Sequence, residues 1–227
     1  MKKEFTKFIF KKIKKKFAVI YLKKNSCKKT RFFCEDLKKL IPNGKVILSS
    51  SIKESFFSNE KKTPPIIILL FNGKKEKNLY FFLRNLEGGS IFQFVINNLY
   101  SLKHSIFIGN AMKWSKPILT FDKNFLKIPH LRLLRPVLSR LVKLKVNHPN
   151  SEPYFDHMIS FFYFNSKIWF RNYQINFFDK KKNLQKNPIQ IIEIGPRFSL
   201  FLRKLWGKNL NEIIYDSKIL KYLNNPL

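Results

Sequence analysis

Acidic residues are scarce in this sequence. Asp plus Glu total 14 against 45 Lys plus Arg in 227 residues, a formal net charge of +31 at pH 7. Such a deficit argues against an ordinary metabolic enzyme. It calls for a polyanionic partner, most simply nucleic acid, with an anionic membrane surface second. Cysteine is nearly missing: Cys27 and Cys34 make no CxxC and cannot build a disulfide framework, which fits small core residues in a reducing compartment. Long apolar runs are missing too. The longest, Ile66 to Phe71, falls far short of the roughly 20 residues that a membrane-spanning helix needs. The basic N-terminal segment is interrupted by Lys11, Lys12, Lys14, Lys15 and Lys16, unlike a secretory signal. There is no GxSxG, Walker A loop or GxGxxG. None of His104, His130, His148 and His157 pairs with another His or Cys at a metal-ligand spacing. The expectation is no catalytic residue, no metal, no cofactor and no small-molecule substrate.

What is present is apolar mass. Hydrophobic residues make up 44% and aromatic residues 16%, enough for the chain to fold. Its length fits one large domain or two small ones, with a real core and no need of disulfides. There are 37 Lys but 8 Arg, and 25 Phe but 7 Gly. Lys, Asn, Ile and Phe have A/T-rich codons, so part of the +31 is attributable to compositional drift. The arginines run against that drift and carry more information, because a guanidinium grips phosphate in a bidentate way that Lys cannot.

Residues 1–16 read as a basic arm. Phe17 to Leu22 reads as a short buried strand and Lys28 to Ile41 as a helix stopped by Pro42-Asn43-Gly44. Residues 49–63 read as a loop. Ile66 to Phe71 has the pattern of a strand covered on both faces. Leu79, Phe82, Leu83 and Leu86 fall at helical spacing before Gly88-Gly89, and Ile91 to Leu99 returns as a strand. This order predicts a layered α/β half. Further on, Ile118 to Phe121 is strand-like. Leu131, Leu134, Leu138 and Leu141 form a helical stripe, with a kink or restart expected at Pro136. Phe155 to Phe164, Lys167 to Ile175 and Ile189 to Leu205 have β character. Asn165-Ser166 reads as a hairpin turn, residues 179–188 as a polar loop, and the tail after Gly207 has no clear pattern.

Candidate anion-contacting residues lie in four places. Lys113 and Lys116 flank Trp114 beside Gly109-Asn110, in the manner of a phosphate-contacting loop. Arg132 and Arg135 lie off the helical stripe. Trp169, Arg171 and Tyr173 share one face of a strand, and so do Arg197, Ser199, Phe201 and Arg203, opposite Phe198, Leu200 and Leu202. A half-buried strand with such an outer face can grip phosphates and stack bases. Gly195-Pro196 leaves an alternative open: a bulge there would swap the faces and pair Arg197 with a carboxylate such as Glu193. Asp156 and His157 are adjacent on a strand, so their side chains are expected on opposite faces, with His157 as a core histidine.

Six segments, GGSIFQFVINNLYSL, IGNAMKWSKPILTFDKNF, HLRLLRPVL, HPNSEPYFDHMISF, IWFRNYQI and EIGPRFSL, beginning at Gly88, Ile108, His130, His148, Ile168 and Glu193, resemble the Brix-domain family of eukaryotic ribosome assembly factors. The resemblance covers about residues 17–206, and HPNSEPYFDH with IWFRNYQI places it on the large-subunit (60S) side of the family. It implies an α/β domain in two halves, about 17–125 and 126–206, each a small sheet packed by helices and similar to an anticodon-binding domain. The arm 1–16 and a tail 207–227 flank it. It implies binding to precursor rRNA, a nucleolar or nuclear location, pre-60S assembly factors as partners, one of them of the EBNA-binding-protein type, and no catalysis. A stretch that the family shares with sigma factors maps onto Glu193 to Leu205. The drifted composition points to a reduced eukaryotic genome such as an endosymbiont nucleus. The sequence departs from the family's pattern at Pro136, in its Gly- and Pro-poor tail, and in lacking long charged extensions.

Two rival classes differ in what they need. A membrane-surface protein would use the basic arm, which lacks a clean apolar face. A metal-dependent nuclease needs converging carboxylates, whereas Asp122, Asp156 and Glu193 are scattered along the chain.

Overall fold

Short runs of β-branched and aromatic residues, punctuated by polar turns, make the described residues mostly strand. The computed structural model describes residues 18–41, 44–49, 66–72, 79–85, 89–103, 106–111, 115–142, 155–177, 189–207 and 212–217. The basic arm 1–16, most of the loop expected over 49–63, the polar loop 179–188, His104, His148 and Lys113 lie outside the described residues. The fold is mixed α/β. Two units divide the chain: one holds the described residues up to Gln93 and those from Lys204 onward, the other Phe94–Arg203.

In the first unit, β1 (Ala18–Lys23), α1 (Lys28–Leu40) and β2 (Gly44–Ser49) form a βαβ unit, with β1 and β2 parallel from Ala18↔Gly44 to Lys23↔Ser49. β3 (Ile66–Asn72) runs parallel to β1 on its other side, from Ala18↔Ile66. Ile66 to Leu70 are all buried, as an uninterrupted apolar run requires. α1 buries Phe33, Cys34 and Leu37. Burial, with the charge of Glu35 adding and Lys38 opposing, pushes the Cys34 thiol up to about 11.

The helix expected over Leu79 to Leu86 is instead β4 (Leu79–Asn85), antiparallel to β3 from Ile66↔Asn85 to Asn72↔Leu79. Leu79, Phe81 and Leu83 are buried while Tyr80, Phe82 and Arg84 are partly exposed, a period of two. Leu79 and Leu83, four apart, satisfy both periods, and the neighbouring edge of β3 decides between them. β2 and a short strand near the chain's end are further differences. β11 (Ile213–Asp216) pairs with the last residues of β10 (Arg197–Trp206), and Lys204 Nζ lies 3.1 Å from Asp216 Oδ2. Buried Ile67, Leu69 and Ile91 pack with Tyr21, Phe82 and Trp206.

In the second unit, β5 (Ile91–Tyr100) contributes its residues from Phe94 onward. β6 (Ile118–Phe121), β7 (His157–Phe164), β8 (Lys167–Phe177) and β10 complete the order β5-β10-β8-β7-β6. β9 (Ile189–Glu193) pairs with β8 from Phe177↔Ile189 to Tyr173↔Glu193. β7 and β8 form the expected hairpin. Asn165 and Ser166 take φ of 51° and 57°, the paired left-handed residues of a type I′ turn. α2 (Asn124–Lys127) and α3 (Pro129–Val142) follow β6. Asp122 fixes that corner: its Oδ1 accepts from Asn124 N–H and its Oδ2 from Tyr163 N–H, both at 2.6 Å. Of the kink or restart expected at Pro136, the restart does not occur: α3 runs as one element across it. Pro136 is on the exposed side, so the lost hydrogen bond faces water. Leu131, Leu134, Val137, Leu138 and Leu141 bury the other side on both flanks of it.

Candidate nucleic-acid interface

Pairing of β8 with β10 decides which side chains meet. The register Phe198↔Phe170, Ser199↔Trp169, Leu200↔Ile168 puts Arg197, Ser199, Phe201 and Arg203 on the same sheet face as Trp169, Arg171 and Tyr173. The opposite face is the core. Phe125, Phe121, Phe161, Phe170 and Phe198 follow one another across it with ring centroids 4.5–5.4 Å apart. Phe198, Leu200 and Leu202 are buried as expected, so the bend at Gly195-Pro196 does not swap the faces. Ser199 differs from expectation. It is fully buried, and its Oγ donates to the Asn97 carbonyl at 3.3 Å.

On the outer face, aromatic rings carry the cations. The Arg171 guanidinium lies 5.3 Å from the Trp169 ring centroid, and Phe162 stacks on Trp169 at 6.1 Å and 4°. Trp169 Nε1 donates to the Phe164 carbonyl at 3.2 Å, which orients the indole. Arg171 Nη1 donates to the Phe170 carbonyl at 3.0 Å. The Arg197 guanidinium sits 4.7 Å from the Tyr100 centroid and 5.8 Å from that of Phe107. Between the two guanidinia is Glu193: Oε1 is 3.4 Å from Arg171 Nε, and Oε2 is 3.4 Å from Arg197 Nη1. Burial first, and then the negative charge of Glu193, raise the Tyr173 hydroxyl above its ordinary pKa of 10.0, against the opposing pull of Arg171 and Arg197.

The loop 106–111 supports this arrangement from β5's side. Gly195 has φ of +60°, and a Cβ there would come within 2.5 Å of the Phe107 ring, so that ring seats against bare backbone. Asn110 N–H donates to Gln174 Oε1 at 3.0 Å. Tyr100, Phe107, Phe162 and Glu193 are therefore parts of the site. Of these four, spacing along the sequence signalled Glu193 alone.

The candidate residues fall into separate groups. Arg171, Arg197 and Arg203 share the outer face, each partly buried. Arg132 and Arg135 are exposed on α3 across the sheet, where the Arg135 guanidinium lies 5.5 Å from the Phe121 ring on the core face. Lys116 is partly buried just before β6, and Lys113 is outside the described residues.

Asp156 and His157 correct one expectation. Asp156 precedes β7 rather than belonging to it, so strand alternation does not separate them, and its Oδ1 is 2.7 Å from His157 Nδ1. Ser115 Oγ lies 3.0 Å from the same nitrogen. Both neighbours meet one ring nitrogen, whereas a proton relay from serine through histidine to carboxylate uses the two opposite nitrogens. Among the described residues no group of three or more His, Cys, Asp and Glu is arranged to hold a metal ion, and no helix is long and apolar enough to cross a membrane.

Comparison with known proteins returns a match to the Brix domain over residues 23–204. A ribosome biogenesis protein BRX1 homolog from Pongo abelii is 32% identical over 181 residues, covering 78% of this chain and 49% of the relative. The Caenorhabditis elegans homolog is 32% identical over 194 residues, 83% of this chain and 53% of the relative. The Arabidopsis thaliana homolog 1 is 36% identical over 138 residues, 59% and 44% respectively. The chain thus spans about half the length of the curated relatives it matches. Among solved structures, Mil, an archaeal Imp4-like protein, aligns with a TM-score of 0.39 at 11% identity, over 84% of this chain and 99% of that one.

Proposed function

This chain belongs to the Brix-domain family, and on that premise we propose that it is a ribosome biogenesis factor that binds precursor rRNA without catalysing a reaction. In this reading it acts during maturation of the large (60S) subunit and rRNA processing, in the nucleolus or nucleus, beside other pre-60S assembly factors such as one of the EBNA-binding-protein type. Phosphate contacts by Lys and Arg supply affinity and strong salt dependence. The shape of the site and its protein neighbours supply the seating.

One observation carries the proposal. A single sheet face mounts Arg171 on Trp169 and Arg197 on Tyr100, with Arg203 on the same face. Guanidinium beside aromatic ring is a combination that serves single-stranded RNA, where rings stack bases and cations track the backbone. An assembly of exposed lysines alone would supply charge without stacking.

Filter binding of the full chain to single-stranded RNA, alongside flotation with anionic vesicles, tests this. RNA retention that falls steeply between about 50 and 200 mM salt is expected. Vesicle binding without RNA binding, or Mg²⁺-dependent cleavage of the RNA, would overturn it. Crosslinking to RNA in cells would then map the rRNA segment.

A further inference from the structure

Glu193 stands where an anion belongs. Its carboxylate lies between two guanidinia, 3.4 Å from Arg171 Nε on one side and 3.4 Å from Arg197 Nη1 on the other. Guanidinium–carboxylate hydrogen bonds are normally about 2.7–2.9 Å and often bidentate. Here each contact is longer and made by one nitrogen. Two buried polar atoms of this cluster, Glu193 Oε1 and Arg197 Nε, have no hydrogen-bond partner among the described residues. The carboxylate is close enough to offset charge, yet it leaves donors of the fork unused.

Glu193 is not the sole contact of either arginine. The Arg197 guanidinium carbon lies over the rings of Tyr100 and Phe107, and that of Arg171 over Trp169, so each arginine has an anchor besides Glu193. A ring contacts the face of a guanidinium, whereas an anion is bound by its edge. Arg171 Nε and Arg197 Nη1 both face the place that the Glu193 carboxylate takes. Two full charges converge on one carboxylate, which leaves the cluster at +1.

We infer that Glu193 is an internal occupant of a phosphate seat formed by Arg171 and Arg197, displaced when a nucleic-acid backbone phosphate binds, and so a built-in competitor that weakens binding of non-matching RNA. This deepens the RNA-binding reading and rests on it. The device acts through charge: an isolated phosphate must outcompete a tethered carboxylate, and it does so once other contacts on the same face hold the RNA in register.

The test compares the full-length wild type with E193Q, E193D and R197K. The probes are an unstructured RNA oligonucleotide of mixed sequence and poly-L-glutamate of matched length. E193Q keeps shape and removes charge. It should bind RNA about two- to fivefold tighter, as expected for loss of one partly exposed ion-pair competitor. The logarithmic salt dependence should steepen by about one phosphate contact. Adding R197K to E193Q should abolish the gain, because an ammonium cannot replace the fork. Unchanged or weaker RNA binding by E193Q, with wild-type binding intact, would make Glu193 a structural tie and overturn the inference while leaving the RNA reading standing. A gain for poly-L-glutamate and none for RNA would assign the seat to an acidic protein segment and overturn it equally. If E193Q does not fold, E193D decides, since it withdraws the carboxylate by one methylene: tighter RNA binding than wild type supports the inference, equal or weaker binding overturns it. Wild type that binds no RNA would sink the RNA reading and the inference together, a result separable from the others because it appears before any substitution.

Discussion

The two faces of the second unit's sheet use aromatic residues to opposite ends. On the core face, Phe121, Phe161, Phe170 and Phe198 contact one another across β6, β7, β8 and β10, and α3 lies on that side. On the outer face, Trp169 and Tyr100 contact guanidinia instead. β8 supplies both, one residue apart, in Trp169 and Phe170. An aromatic side chain next to another apolar ring adds burial, and one next to a cation holds that charge still without neutralising it. Chemistry in this fold is thus set by what the neighbouring strand offers at the same register. The aromatic count alone does not set it.

The contrast is broken most violently on the core face. Phe170→Ala removes the ring between Phe161 and Phe198 and should cost about 3–5 kcal/mol of stability. Urea denaturation measures it, and RNA affinity per folded molecule should hold. A loss of RNA binding with no loss of stability would mean that the faces have been assigned the wrong way round.

On the outer face the converse is expected. Arg197→Ala combined with Arg203→Ala should weaken RNA binding by about 3 kcal/mol, taking the low end of roughly 1.5–3 kcal/mol for each charge-assisted bond. The melting temperature should move little, because Phe198, Leu200 and Leu202 stay in place. Arg197→Ala alone is the informative single variant: unfolding without a selective loss of RNA affinity would make its pairing with Glu193 a structural one.

A pH dependence should belong to the covered side. Burial holds the His130 imidazole below its ordinary pKa of 6.5, where it packs edge-on to Tyr163. The unfolded chain therefore takes up a proton first as pH falls. Stability contributed by the neutral ring is present above the unfolded value and is lost progressively below it, down to the folded value. Melting temperatures measured from pH 7.5 to 5 should fall for the wild type and fall less for His130→Gln. An identical slope in both would remove His130 from the account. The smallest effect is expected at Arg132, exposed on α3. Arg132→Ala should change stability by no more than about 0.5 kcal/mol. If that side also touches RNA, the salt slope should become shallower by about one while the outer-face seat stays intact.

Much of this was legible beforehand because strand alternation is a local rule. Arg197, Phe198, Leu200 and Leu202 fell on the faces that their spacing gives, and the Asn165-Ser166 hairpin followed from turn chemistry. The register that sets Trp169 opposite Ser199 is a long-range fact, and so is the arrival of Tyr100 and Phe107 at Arg197. No periodicity contains it. The helical spacing of Leu79 to Leu86 misleads at β4 because Leu79 and Leu83, four apart, satisfy two periods at once, and only β3's edge resolves them. β2 was missed because three apolar residues, Val46 to Leu48, are too few to announce a strand without a partner. The meeting of Asp156 with His157 escaped for a different reason: alternation was applied to a residue that lies just outside the strand.

The division of the chain has a consequence for synthesis. Residues Phe94–Arg203 are contiguous, whereas the other unit is assembled from segments on either side of them. A ribosome makes the chain in one direction. β1, α1 and β3 emerge early, yet the cluster of Ile67, Leu69 and Ile91 is packed by Trp206. Its apolar surface must wait, exposed to any other sticky chain, until all of Phe94–Arg203 has been translated. Domains that fold during translation usually do so in order of emergence. Here the later-made unit can finish first and the earlier one last, so the nascent protein's need for a protective chaperone is concentrated at its beginning.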